Sequence, residues 1–383
     1  MSVTAARGFT AAGIAAGIKQ NGDRDLALVV NNGPGRAAAG VFTANRVQAA
    51  PVRWSRQVLA DGGIRAVVLN SGGANACTGP QGFTDTCATA ERTAELLGLA
   101  TADVAVCSTG LIGVPLPMDR VLNGVASAVT RLSAAGGQDA AAAVMTTDTV
   151  PKTAAVTRGA WTVGGMAKGA GMLAPGLATM LVVLTTDAAL DSAALDRALR
   201  DATRVTFDRV DSDGCMSTND TVLLLSSGAS RLTPDYAEFA EAVRTVCADL
   251  ARQLIGDAEG ASKEIRVEVV GAASEHDAVE VGRSVARNNL LKCAVHGEDP
   301  NWGRVLSAIG TTSAAFEPDR LGVAINGVWV CKGGSVGEDR ALVDMTGREV
   351  RITVDLAAGT DCAVIWTNDL TADYVHENSE YAS

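Results

Sequence analysis

The chain has 383 residues, 47% of them hydrophobic and 20% charged, an ordinary balance for a globular protein long enough to bury one large or two medium cores. A formal net charge of −11 with no Lys/Arg run argues against a nucleic-acid partner. No apolar run approaches the roughly 20 residues of a membrane span, and residues 8–18, diluted by Gly and Ala, make a poor secretory signal. The expectation is a cytoplasmic protein with no membrane partner.

Eight cysteines are scattered without a Cys-x-x-Cys pair, and there are only three histidines. That argues against a structural zinc site and predicts reduced, mostly buried thiols. Short strands are expected at 26–30, 38–43 and 66–69, the last running into the loop Asn70-Ser71-Gly72-Gly73-Ala74-Asn75-Ala76-Cys77-Thr78-Gly79. A helix over 84–97 closes on Gly98. A strand over 103–107 empties into Ser108-Thr109-Gly110-Leu111-Ile112-Gly113, and alanine-rich helices follow around 120–132 and 138–145.

The stretch from Lys168 to Leu181 crowds Gly and Pro before a run of strand formers. It reads as an irregular loop that delivers Thr179 to the start of a buried strand. Asp191 can cap a helix to about 203, and the polar loop Asp211-Ser212-Asp213-Gly214 leads to a strand at 222–225. Thr233-Pro234 starts a long amphipathic helix to about 255, with proline in the first turn. Alternation over 265–269 predicts a half-buried strand, Ser274 with Asp277 a capping box, and Asn326-Gly327 a hairpin turn. Strands at 351–356 and 363–367 complete the set, with no repeat or linker. The mixture predicts an α/β or α+β protein, a layered α/β sandwich of mixed sheets and helices.

Thr179 is the first candidate for chemistry. A Thr hydroxyl is a poor nucleophile until a base removes its proton, and an N-terminal Thr carries that base in its own α-amine. On composition alone, a Thr that merely begins a core strand after a turn is the favoured reading. Thr109 and Gly110 lie in a turn after a strand, where a free backbone N–H and the Thr hydroxyl can form an oxyanion hole, or where the chain simply turns. Cys107 beside them reads as a packed thiol. Lys168 amid glycines lacks the third Gly of a dinucleotide loop and the Walker ending, but can hold a carboxylate as a point charge if it is not a solvated lysine. The 211–214 loop lacks the ligands of a calcium site. Glu259 past a helix end reads as a solvated loop residue, His296 as a base with no nucleophile, and the last residues as a frayed tail.

In order along the chain stand Gly8-Phe9-Thr10-Ala11-Ala12-Gly13-Ile14, Asn70-Ser71-Gly72-Gly73-Ala74-Asn75-Ala76, Ser108-Thr109-Gly110-Leu111-Ile112-Gly113, Thr146-Thr147-Asp148-Thr149, the 168–181 stretch, Ser217-Thr218-Asn219-Asp220-Thr221, Glu259-Gly260-Ala261-Ser262-Lys263, Asp299-Pro300-Asn301-Trp302-Gly303-Arg304 and Glu377-Asn378-Ser379. Together these motifs closely resemble the ornithine acetyltransferase family, the glutamate N-acetyltransferases of arginine biosynthesis. Two departures stand out: Gly73 where Asn is usual, and Cys215-Met216 where a more acidic pair is usual.

The resemblance implies self-cleavage between Ala178 and Thr179, giving an α chain (1–178) and a β chain (179–383), two of each in the assembly. It implies Thr179 as nucleophile and Thr109 with Gly110 as oxyanion hole. Thr149, Lys168, Thr179, Glu259, Asn378 and Ser383 match its substrate-binding positions. The implied substrates are N2-acetyl-L-ornithine and L-glutamate, with no metal or cofactor and acetyl-CoA as a possible further co-substrate. An N-terminal-nucleophile aminopeptidase or amidase using the same Thr is the alternative.

Overall fold

The computed structural model describes residues 2–174 and 180–380, so Ala178, Thr179 and Ser383 lie outside the described residues. The chain divides into two compact units, Met1–Asp208 with Cys215–Leu254 and Arg209–Gly214 with Ile255–Ser383.

The strands of the first unit are β1 (Phe9–Ile14), β2 (Leu26–Asn31), β3 (Ala38–Phe42), β4 (Ala66–Asn70), β5 (Val104–Ser108), β6 (Lys152–Arg158), β7 (Trp161–Lys168), β8 (Leu181–Thr186) and β9 (Thr221–Ser226). They form a four-stranded sheet in the order β1-β2-β4-β5 and a five-stranded sheet in the order β3-β9-β8-β7-β6. Its helices are α1 (Ala50–Val58), α2 (Gly79–Leu97), α3 (Met118–Val129), α4 (Gly137–Ala143), α5 (Ser192–Val205) and α6 (Tyr236–Gly256). β2, β4, β5, β8 and β9 are buried along their whole length, which is why they read as unbroken apolar runs rather than alternating ones.

Alternate residues of those strands point into two different cores. Ala27, Val29, Val67, Leu69 and Ala105 meet Met166, Leu181, Val183, Leu223 and Leu225 of the other sheet, with α4 alanines between them. Leu26, Leu28, Val68 and Val106 face the opposite way, onto Ala90 and Ala94 of α2 and Val121 and Val125 of α3. On the far side of the five-stranded sheet, Gly165 lets Val246 and Leu250 of α6 approach. The unit is thus helix, sheet, sheet, helix, the layered sandwich expected.

The second unit holds β10 (Glu264–Ala272), β11 (Gly322–Ile325), β12 (Val328–Lys332), β13 (Ser335–Val336), β14 (Glu349–Asp355) and β15 (Asp361–Asn368), in the order β13-β12-β11-β14-β10-β15. Its helices are α7 (Glu275–Ala286), α8 (Asn289–His296), α9 (Trp302–Ile309) and α10 (Ala372–Glu380). β10 alternates buried and half-buried residues, and its inner face, Ile265, Val267 and Val269, packs with Ala278, Val281 and Val285 of α7. Asn326 and Gly327 both take positive φ (47° and 88°), the backbone of the hairpin turn that their sequence predicts.

Several sequence expectations need correction. β6 and β7 are strands that the sequence pattern does not predict, because Gly164 and Gly165 depress the strand signal of β7. Those glycines serve close packing: a Cβ at Gly164 would lie 2.4 Å from the Ser2 carbonyl oxygen, and one at Gly165 2.7 Å from Leu184 Cδ2. Residues 9–14 are a strand of the core sheet. α2 begins at Gly79 rather than 84, with Pro80 in its first turn. α6 begins at Tyr236, where Asp235 Oδ1 accepts the Ala237 N–H at 2.9 Å, so Pro234 precedes the helix. The eight cysteines, all among the described residues, form no disulfide, but Cys77, Cys215, Cys293 and Cys362 are exposed, so the thiols are not mostly buried.

Candidate active site

In the first unit, β4 and β5 run parallel, side by side, and both end in loops. The loops are laced together. Thr109 N–H donates to Asn70 O at 3.0 Å, Gly73 N–H to Thr109 O at 3.0 Å, Ala74 N–H to Leu111 O at 2.9 Å and Gly113 N–H to Ala76 O at 2.9 Å. Ser108 Oγ donates to Asn70 Oδ1 at 2.6 Å, and Asn70 Nδ2 to Gly73 O at 2.9 Å. Asn219 fastens both loops from the side, its Nδ2 donating to Ala74 O at 2.6 Å and to Ser108 O at 2.7 Å.

Gly110 follows with φ 128°, and a Cβ there would sit 2.5 Å from Gly73 N and 2.6 Å from Gly72 C. Only glycine fits.

Lys168, the last residue of β7, is 1% exposed and is therefore no solvated surface lysine. Its Nζ donates to Thr109 Oγ1 at 3.1 Å. An ammonium can only donate, so the Thr109 oxygen accepts from it and the Thr109 hydroxyl proton is left to point at another acceptor. That is the orientation an oxyanion donor needs.

Lys168 belongs to a wider buried charge set. Asp148 Oδ1 accepts from Lys152 Nζ at 2.6 Å and from Gly169 N–H at 2.7 Å, and Asp148 Oδ2 accepts from Thr146 N–H at 2.9 Å. The Asp148 and Lys152 side chains are both fully buried. Burial alone would push the Asp148 carboxyl up, but the Lys168 and Lys152 ammonium groups and the hydrogen bonds hold it at about 2. Thr149, one residue on, is exposed.

At the far edge of the 168–181 stretch, Met180 N–H donates to Asp220 Oδ1 at 3.0 Å. Lys168 pairs in register with Leu181 across β7 and β8. The stretch that holds Ala178 and Thr179 therefore leaves and rejoins the sheet at adjacent positions.

In the second unit, Glu259 Oε2 accepts from Asn378 Nδ2 at 2.8 Å. Gly260 makes that meeting possible: with φ 62°, any Cβ would lie 2.3 Å from Tyr374 N of α10. Thr371 Oγ1 donates to Gly260 O at 2.7 Å and accepts Tyr374 N–H at 3.0 Å, so one hydroxyl caps α10 and ties it to the 259–261 loop. Residues 372–380 are accordingly a tethered helix rather than a frayed tail.

Other candidates take structural roles. Burial pushes the Cys107 thiol up to about 12, which keeps it from being a nucleophilic thiolate. His296 Nδ1 lies 3.0 Å from Asp369 Oδ2 and 3.2 Å from Ser262 Oγ, while the Ser262 hydroxyl donates to that same Asp369 oxygen. Serine and histidine thus share one acceptor and do not form a relay. Asp211 accepts from Arg287 Nε at 2.6 Å and Ser212 Oγ donates to Asn368 Oδ1, which makes their loop a packing element. Among the described residues, no group of three or more His, Cys, Asp or Glu is placed to hold a metal ion, and no helix is long and apolar enough to cross a membrane.

Asn70, Asp148, Lys152, Asn219 and Asp220 hold the site together, yet residue chemistry alone gives them no role in the sequence. The 217–221 motif stands out there only as a matched pattern, since its function depends on loops more than 100 residues away.

A layered α/β unit that buries a lysine against a threonine hydroxyl, beside a glycine no other residue can replace, is the frame of this site, and comparison with known proteins places the chain among the enzymes. The ArgJ family model matches residues 10–383, and the chain belongs to the ArgJ family. The arginine biosynthesis bifunctional protein ArgJ of Streptomyces avermitilis is 77% identical over 383 residues, with all of both chains covered. Its namesake from Thermobifida fusca is 63% identical over the same full span. Among solved structures, ornithine acetyltransferase of Mycobacterium tuberculosis, crystallised with ornithine, is 59% identical, with 47% of this chain and 96% of that chain covered at a TM-score of 0.45.

Proposed function

We propose that this chain moves the acetyl group of N2-acetyl-L-ornithine to L-glutamate through an acetyl ester on Thr179, exposed as an N-terminal residue by self-cleavage between Ala178 and Thr179. The observation that carries the reading is the buried hydrogen bond from Lys168 Nζ to Thr109 Oγ1, 3.1 Å long, at the strand end where the 168–181 stretch departs. Membership of a family of arginine-biosynthesis bifunctional enzymes supports it.

In this reading the Thr179 α-amine takes the hydroxyl proton as Oγ attacks the acetyl carbonyl. With an ordinary pKa of about 7.7–8.0, such an amine is partly neutral near pH 7. Negative charge on the former carbonyl oxygen is met by the Gly110 N–H and the Thr109 hydroxyl. The C–N bond breaks, the amine passes its proton to the departing ornithine nitrogen, and acetyl-Thr179 remains. The glutamate amine then attacks that ester and regenerates Thr179. One amide is exchanged for another, so no energy source is required.

The family resemblance gives Lys168 and Thr149 of the first unit and Glu259, Asn378 and Ser383 of the second as substrate-binding positions. Lys168 has a charge suited to a carboxylate and Glu259, steadied by Asn378, one suited to an ammonium group. Acetyl-CoA as a second acetyl donor and an assembly of two α and two β chains belong to the same proposal.

The test is Thr179→Ala. Wild type should run as two bands on a denaturing gel and gain one acetyl group on its β chain when given N-acetylornithine alone, whereas the variant should stay intact, inactive and unacetylated. A cleaved, active variant would sink the proposal. Ornithine release that ignores added glutamate would favour the amidase instead.

A further inference from the structure

Asp220, the residue just before β9, has no part in the chemistry described so far. Its side chain is completely buried, and Oδ2 has no hydrogen-bond partner among the described residues. Oδ1 accepts the Met180 N–H at 3.0 Å, while the Met180 carbonyl accepts the Thr221 N–H at 3.1 Å. Met180 is itself fully buried. Both polar groups of one backbone residue are therefore gripped by two consecutive residues, Asp220 and Thr221, where the chain enters the neighbouring strand. The main chain of Asp220 is fixed in turn, its carbonyl accepting Thr43 N–H at 3.0 Å.

We propose that Asp220 is a positioning residue of the acetyl-transfer site, which acts through the Met180 N–H to fix the chain next to the nucleophile. The proposal rests on the assignment of that role to Thr179.

Burial pushes the Asp220 carboxyl well above the usual carboxylate range and Asp208 pushes the same way, against the pull of the Met180 N–H, Lys168 and the nearby Ser217 hydroxyl. That shift favours the neutral acid over the carboxylate, as expected for a carboxyl cut off from water. Neutrality also matters to the mechanism. A neutral acid can accept an N–H without setting a full negative charge near the catalytic amine. A carboxylate there would stabilise the protonated amine and remove the base. As pH rises and Asp220 ionises, the rate should fall.

The test compares Asp220→Ala, Asp220→Asn and Thr179→Ala in the full chain. Its readouts are self-cleavage on gels, kcat and KM for N-acetylornithine across pH, and melting temperature. Asp220→Ala should slow cleavage and lower kcat by about 100-fold, the cost of a small misplacement of a reacting group, with KM little changed. Asp220→Asn, which keeps the acceptor and is neutral at every pH, should restore kcat to within about tenfold and abolish the alkaline decline of the wild type. A folded Asp220→Ala enzyme with wild-type kcat overturns the inference. So does an Asn variant as slow as the Ala variant, or one that keeps the alkaline decline. If the Ala variant does not fold, the Asn variant and its pH profile decide alone. Cleavage and activity in Thr179→Ala would overturn the nucleophile assignment and this inference with it. An inert Thr179→Ala beside an unimpaired Asp220→Ala would overturn this inference only.

Discussion

In the first unit the charged residues of the candidate site are shut away from water, whereas in the second they stand near its surface. Asp148, Lys152 and Lys168 are at most 7% exposed, while Glu259 is half-buried and its partner Asn378 is exposed. The difference follows from the two architectures. A sandwich with both sheet faces covered leaves no solvent for a charge at a strand end, so each charge must find a partner inside. A sheet with one covered face lets the residues of its bordering loops keep their water. The same chemical feature, a charge aimed at substrate, therefore rests on very different foundations in the two places.

The largest effect should come from breaking the buried ion pair. Lys152→Ala would remove the ammonium hydrogen-bonded to Asp148 in a dry site, leaving Lys168 and two backbone N–H groups to carry the charge. Loss of one partner of a buried pair typically costs about 3–5 kcal/mol. Urea unfolding should show a midpoint well below wild type. An unchanged midpoint would mean that the Asp148–Lys152 pair is not the closed structural pair its geometry describes.

The next effect is acid sensitivity. Asp148 is held down at about 2 from an ordinary 3.8, so its contribution is present above pH 4 and is lost as pH falls through 2. A carboxyl pKa lowered that far is worth roughly 2–3 kcal/mol of stability. Wild-type stability should fall over that window more steeply than that of Asp148→Asn, when the two are compared by thermal melts at fixed ionic strength. Parallel pH profiles would contradict the assignment.

The smallest stability effect belongs to the second unit. Glu259→Gln removes a charge from a partly solvated pair and should change unfolding free energy by less than about 1 kcal/mol. Under the proposed function it should nonetheless raise KM for N-acetylornithine while leaving self-cleavage intact. Loss of stability comparable to that of Lys152→Ala would erase the contrast between the units.

Much of this protein is legible without any tertiary contact. The unbroken apolar runs of β2, β4, β5, β8 and β9, the alternation of β10, Gly98 closing α2 and the Asn326-Gly327 turn are local statements, set by side-chain period and allowed backbone angles. The candidate residues Thr109, Gly110, Lys168 and Glu259 are legible too, mostly through ordered motifs whose meaning comes from resemblance. Residue chemistry alone does not choose between a solvated Lys168 and a buried one, or between a frayed C-terminal segment and a tethered helix.

Tertiary structure answers those questions, because burial and partner are properties of contacts between distant residues. Glycines at 164 and 165 look like strand breakers until Ser2, Leu184 and α6 are packed against them. Asn219 looks like any polar residue before a strand until its amide is seen to fasten two loops from the first third of the chain. Asp220 is an ordinary carboxylate in the sequence, and becomes a buried acceptor for the Met180 N–H, its carboxyl pushed up by loss of water, only through folding. Local sequence dictates which segments can be strands and which residue types are on hand for acyl transfer. The fold dictates which of them lose solvent, which meet, and so which can act.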